Sequence, residues 1–168
     1  MGTWDTIRNT IAAEFSDIND VEHLTRLIVR LGIAALLGGL LGLQRERAGK
    51  EAGIRTHMLV AAGSALVVFV PLQAGMDAEG LSRVLQGLLA GIGFLCAGSI
   101  LKLPTEEHVR GLTTAAGIWM TSAIGMAAGL GREVTAVIAT LLVLGILSLV
   151  GPFRRLGLRH DEPPAKSD

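Results

Sequence analysis

Residues 31–70 read LGIAALLGGLLGLQRERAGKEAGIRTHMLVAAGSALVVFV, two oily runs held apart by the charged stretch RERAGKEAGIRTH, Arg45 to His57. The oily runs extend over Leu24–Leu43 and Thr56–Ala74. A helix needs about 20 residues to cross roughly 30 Å of hydrocarbon, so each run is long enough to span. In lipid such a run must be helical, because no water is present to satisfy its amides and carbonyls. The charged stretch is then a loop at one membrane face.

The same reading extends along the chain. Leu81–Leu101, Leu112–Leu130 and Val134–Val150 are three further runs of spanning length, the last the shortest. Half of the 168 residues are apolar, 18% are charged, there are 22 glycines and no tyrosine, and mean hydropathy is +0.52. That composition fits neither a disordered chain nor an ordinary soluble domain. We therefore expect an all-α integral membrane protein with five transmembrane helices over residues 24–150, packed through glycine and small-residue faces. Residues 1–23 carry five acids and lack the apolar core of a signal peptide. Trp4, Ile7, Ile11, Phe15 and Ile18 recur there at helical spacing. An amphipathic helix lying on the bilayer is expected, with an arm docked on the bundle or on a partner as the rival reading. Residues 151–168 read as a short polar tail.

Positive residues are retained on the cytoplasmic side, so the loops report orientation. Arg45, Arg47, Lys50 and Arg55, then Lys102 and Arg110, then Arg154, Arg155, Arg159 and Lys166 make ten on one side. Arg8, Arg83 and Arg132 make three on the other. The amino terminus is expected outside and the carboxyl terminus in the cytoplasm, and the charged stretch becomes a cytoplasmic loop.

Nucleotide motifs fail on inspection. GLQRERAGKE has six residues between its glycines where a P-loop needs four, and GIGFLC lacks the third glycine of a dinucleotide fingerprint. Cys96 is the single cysteine, so there is no CxxC or Cys/His metal signature. None of the five runs contains Asp or Glu, which disfavours a cation cage at mid-depth. No nucleophile, base and orienter can be assembled, so we expect no enzyme, no resident cofactor or metal and no nucleic-acid partner.

Gly87, Gly91 and Gly98 share one helical face, and Gly38/Gly42 and Gly125/Gly129 repeat the small-xxx-small spacing. Close helix packing within or between protomers is expected of them, a broken helix lining a pathway being the alternative. Arg26 and Arg30 lie four apart near the outer end of the first span. They snorkel, or they pair with Asp17, Asp20 or Glu22 or with an anionic ligand. Trp119, away from the interfacial belt, packs a core or lines a cavity, and Thr113, Thr114, Thr121 and Ser122 bond within or across helices.

Three motifs in order, LLGGLLGLQRERAGKEAGIRTHMLVAAGSAL, GIGFLCAGSIL and VRGLTTAAGIWMTSAIGMAAGLG, resemble the membrane domain of the MgtC/SapB family of bacterial inner-membrane proteins. The likeness covers roughly residues 28–150. Matching positions are Arg45, Glu46 and Arg47, then Gly53, Arg55, Thr56 and His57, then Arg110, Gly111, Thr113 and Thr114. Gln44 and Cys96 stand where members commonly have glutamate and glycine, and the chain is close to the short form without a carboxyl-terminal cytoplasmic domain. The resemblance implies adaptation to low magnesium, virulence in pathogenic members, inhibition of the F-type ATP synthase in some, and a proposed magnesium transport role.

Two functions follow as expectations. The first is a regulatory membrane protein whose charged loop is a cytoplasmic recognition surface for protein or lipid. The second is a homo-oligomeric permease or channel lined by Gln86, Thr113, Trp119 and Thr121. His57, at the boundary, is read either as pH-responsive or as an ordinary interfacial residue.

Overall fold

The computed structural model describes residues 2–14, 20–100 and 110–157, and side chains as far as residue 148. Phe15, Asp17 and Ile18 of the amino-terminal arm, the Lys102 loop and most of the polar tail lie outside the described residues. The regular elements are six helices: α1 (Thr3–Glu14), α2 (Val21–Arg47), α3 (Ile54–Gln73), α4 (Ala78–Gly98), α5 (Leu112–Gly129) and α6 (Glu133–Gly157). Three of them, α2, α3 and α4, are long and apolar enough to cross a membrane. The Glu133–Ser148 part of α6 is a shorter apolar helix.

Side-chain and backbone chemistry sets the helix ends. Asp20 and Asp77 cap α2 and α4 by accepting from the Glu22 and Gly80 amides at 3.0 and 2.8 Å. At the other ends α2, α3 and α5 stop alike, with Gly49, Gly75 and Gly131 at positive φ. The next amide then reaches back five residues: Lys50 to the Arg45 carbonyl, Met76 to Pro71 and Arg132 to Ala127. That is the Schellman closure, in which glycine takes the left-handed conformation without a Cβ penalty.

Glycines decide how the helices meet. α3 packs against both α2 and α5, and both bring glycines onto its backbone. A Cβ on Gly42 of α2 would stand 2.5 Å from the Ile54 Cα, and one on Gly38 would overlap the His57 carbonyl. Likewise, a Cβ on Gly129 of α5 would lie 2.5 Å from the Ala65 carbonyl oxygen, and one on Gly125 would overlap that of Ala61. The α3 residues met, at 53/54, 57, 61 and 65, advance one helical turn at a time, so a single ridge of α3 is gripped by both helices. Lipid tails are as apolar as leucine, so such close packing takes the place of hydrophobic burial in holding membrane helices together.

α5 is central, touching α2, α3, α4 and α6. Ala34, Leu37, Leu41, Ala61, Ala65, Ile124 and Ala128 form the main core. α4 is peripheral, and at Gly87, Gly91 and Gly98 no atom of another described element lies within 4 Å of where a Cβ would stand. The groove they form is open. α1 touches no other helix among the described residues, and Trp4, Ile7 and Ile11 are exposed.

Arg26 and Arg30 separate in their roles. Arg26 pairs with Glu22 one turn away. Arg30 turns inward instead of toward the arm: its Nη1 donates to the Gly129 carbonyl at 2.9 Å, Nε faces Glu133 at 3.8 Å, and the guanidinium sits 5.4 Å from the Phe69 ring centroid. One side chain thus ties α2 to α3 and to the α5–α6 turn. Arg30→Met is expected to cost about 2 kcal/mol, the scale of a charge-assisted hydrogen bond. Thermal unfolding of the purified protein in detergent, read against Arg26→Met, measures it; equal midpoints would refute the pin.

Candidate functional site

The charged stretch is shorter as a loop than its sequence suggests. Gln44 to Arg47 form the last turn of α2 and Ile54 to His57 the first turn of α3, leaving residues 48–53 as the connection. Glu46 reaches across that connection, and its Oε2 accepts from the Ile54 amide at 3.2 Å. Gly53, the residue before α3, has no side chain to cap the helix, and a Cβ there would lie 2.7 Å from the same Glu46 oxygen. The carboxylate of one helix caps the next, so the turn is held and not loose.

The expected recognition surface divides in two. Glu46, Arg47, Arg55, Arg110 and Thr113 are exposed, whereas Gly53, Thr56 and Gly111 are partly covered. Arg45, His57 and Thr114 are buried, with only 4% of Arg45 and 1% of His57 exposed. The reading of Arg45 as a surface fork and of His57 as an interfacial residue is corrected by this burial. Residue 45 lies one position from exposed Glu46, and at about 100° per residue that offset turns it from the surface into the α2–α5 contact.

These buried groups belong to a polar seam between α5 and the α2–α3 pair. Arg45 Nη2 lies 3.4 Å from the Thr114 hydroxyl. Two turns along α5, the His57 Nδ1 and Thr121 Oγ1 are 2.7 Å apart, and Thr121 also donates to the Gly117 carbonyl at 2.9 Å. With its proton committed there, the Thr121 oxygen accepts, which assigns the hydrogen to His57 Nδ1. Deeper still, Ser64 and Ser122 share a hydrogen bond of 2.8 Å. The Arg45 Nε, the His57 Nε2 and the Gln44 Oε1 are buried without a hydrogen-bond partner among the described residues. Beside the seam, Cys96 Sγ donates to the Ala115 carbonyl at 3.2 Å.

Position 111 is equally constrained. Gly111 precedes α5 at φ +93°, and a Cβ there would collide with the Ser99 carbonyl at the end of α4. Only glycine serves where a positive φ and a touching backbone coincide. This close approach brings the start of α5 to the end of α4 and sets Thr114 opposite Arg45.

The residues expected to line a pathway do not converge. Thr121 is buried against His57, while Gln86, Thr113 and Trp119 are exposed, Trp119 by 45%. Trp119 is therefore half-buried and not part of the packed core. Sequence reading also left out Ser64, Glu133 and Phe69, whose roles depend on partners from distant helices.

The serine pair allows a direct check of the seam. Ser64→Ala or Ser122→Ala alone leaves one buried hydroxyl unpaired and is expected to cost about 1–2 kcal/mol, while the double change costs less than the sum of the two. A double-mutant cycle on unfolding midpoints decides; strict additivity would show the pair is not coupled.

Apolar helices of spanning length around a buried basic seam define a helical membrane protein. A family model described as the MgtC family matches residues 31–156, and the chain belongs to that family. It is 47% identical over 141 residues to Protein SrpB of Synechococcus elongatus, covering 77% of this chain and 76% of the relative. It is 39% identical over 129 residues to "Putative magnesium transporter YhiD" of Escherichia coli K12, covering 73% of this chain and 59% of that protein. Protein MgtC of Salmonella typhimurium is 39% identical over 117 residues, 70% of this chain and 49% of that protein. The chain thus spans about half to three fifths of the YhiD and MgtC relatives. No solved structure matches.

Proposed function

We propose that the protein is a non-enzymatic, regulatory membrane protein of magnesium-limited growth, acting through contacts at its cytoplasmic face. In this reading α2 to α6 all cross the inner membrane, α1 lies on the outer surface, and the carboxyl terminus is cytoplasmic. The observation that carries it is the held turn: Glu46 caps α3, Gly42 fits against Gly53 and Ile54, and exposed Arg47 and Arg55 stand on that rigid base. A surface prepared in this way loses little conformational freedom on binding. The family resemblance adds the F-type ATP synthase as a candidate partner and stress or virulence settings as the context.

The printed name of YhiD favours a second reading, transport of magnesium by a homo-oligomer. Against it, the carboxylates Glu22, Glu46, Glu79 and Glu133, the hard ligands magnesium prefers, lie at helix ends. Reconstitution in liposomes with magnesium and small-anion flux assays separates the two. The regulatory reading expects no saturable flux, together with loss of growth support at low magnesium for Arg55→Gln. Saturable flux abolished by changes at Thr113 or Trp119 would replace it with transport.

A further inference from the structure

Beside the held turn, α2 and α6 border an open groove of about 530 Å³. Its walls are graded in polarity. Leu40, Leu43 and Leu144 form one part, and Gln44 and Arg47 in the last turn of α2, with Ser148 one turn beyond Leu144 on α6, form the other. An apolar wall that ends in a cation and two neutral hydrogen-bonding groups suits a molecule with a hydrocarbon chain and an anionic head. Gln44 borders the groove beside Arg47, with its Oε1 turned into the protein and buried.

We infer that this groove is a binding site for an anionic phospholipid of the inner leaflet. The acyl chain lies along Leu40, Leu43 and Leu144, and Arg47 holds the phosphate with Gln44 and Ser148 beside it. Basic recesses between membrane helices on the cytoplasmic side are suited to such headgroups. Arg47 matters here for its planar fork, which meets phosphate oxygens in pairs, and for its weak hydration relative to an ammonium. The inference deepens the proposed function, because it places a lipid on the α2 turn that carries the exposed charges, and it relies on that turn being cytoplasmic.

The site is testable without any assay of growth or flux. Purified protein is exchanged into nanodiscs of phosphatidylcholine containing a minor share of phosphatidylglycerol, and retained lipid is counted by native mass spectrometry after gentle release. One phosphatidylglycerol retained in preference to phosphatidylcholine is expected. Arg47→Gln lowers its retention about fivefold, the effect of about one basic contact near an anionic lipid. Ala48→Trp, which fills the groove and leaves every charge in place, lowers it as well, and Lys50→Gln, whose side chain does not border the groove, leaves it unchanged. Retention that falls equally in Arg47→Gln and Lys50→Gln, or that survives Ala48→Trp, would overturn the site in favour of diffuse surface charge. Circular dichroism of each variant guards against misfolding. Loss of the lipid site would leave the regulatory reading standing, and a flux result would leave the lipid site standing.

Discussion

Gly125→Leu is expected to prevent assembly of the helix bundle. The glycine meets the Ala61 peptide of α3 so closely that even a Cβ would lie within 3.0 Å of its Cα, carbonyl carbon and carbonyl oxygen. The obstacle is backbone of a helix that is also seated against Gly38 and Gly42 of α2, so it cannot shift without disturbing that contact. Overpacking a core usually costs about 1–3 kcal/mol, and a clash held by both contacts should exceed that. Gly91→Leu is the matched control, since no atom of another described element lies within 4 Å of a Cβ at that position. Size-exclusion profiles and thermal unfolding in mild detergent should show Gly125→Leu aggregated or absent and Gly91→Leu close to the parent. Equal behaviour of the two would mean that α5 does not pack on α3 as described.

Arg45→Met is expected to raise stability while removing function. The arginine is 4% exposed, and among the described residues its Nη2 has a long contact to the Thr114 hydroxyl and its Nε has no partner. Burying a charge so weakly compensated opposes folding, and replacing poorly compensated buried charges by apolar groups of similar length has stabilised other proteins by about 1–4 kcal/mol. A residue that opposes stability at a packed site is retained for something else. The unfolding midpoint should rise, and growth support at low magnesium should disappear. A lowered midpoint would make Arg45 a structural residue; a raised midpoint with growth intact would remove it from the proposed function.

Much of the architecture was legible from residues alone, for reasons visible in particular segments. The runs Leu24–Leu43 and Thr56–Ala74 became α2 and α3 because hydrocarbon permits few alternatives to a helix. The helix ends were less legible. α2 continues through Gln44–Arg47 and α6 runs on to Gly157, because charged side chains at a helix end can reach water and do not stop the backbone. Of the three glycine patterns, all with the same small-residue spacing, two grip α3 and the one on α4 faces away. Nothing in the spacing distinguished them.

The candidate site was harder to read. Arg45 and Arg47 look alike in sequence, yet one is buried in a seam and the other borders an open groove. The partners Thr114 for Arg45, Thr121 for His57 and Glu133 for Arg30 come from helices far along the chain. Sequence by itself determined that the chain is helical and built for lipid, since apolar length and the need to satisfy every peptide group leave little choice. Tertiary structure alone decided which face of each helix is inside. In a bilayer the outward face is as apolar as the inward one, so hydrophobic periodicity, the signal that tells inside from outside in water, carries almost no information there.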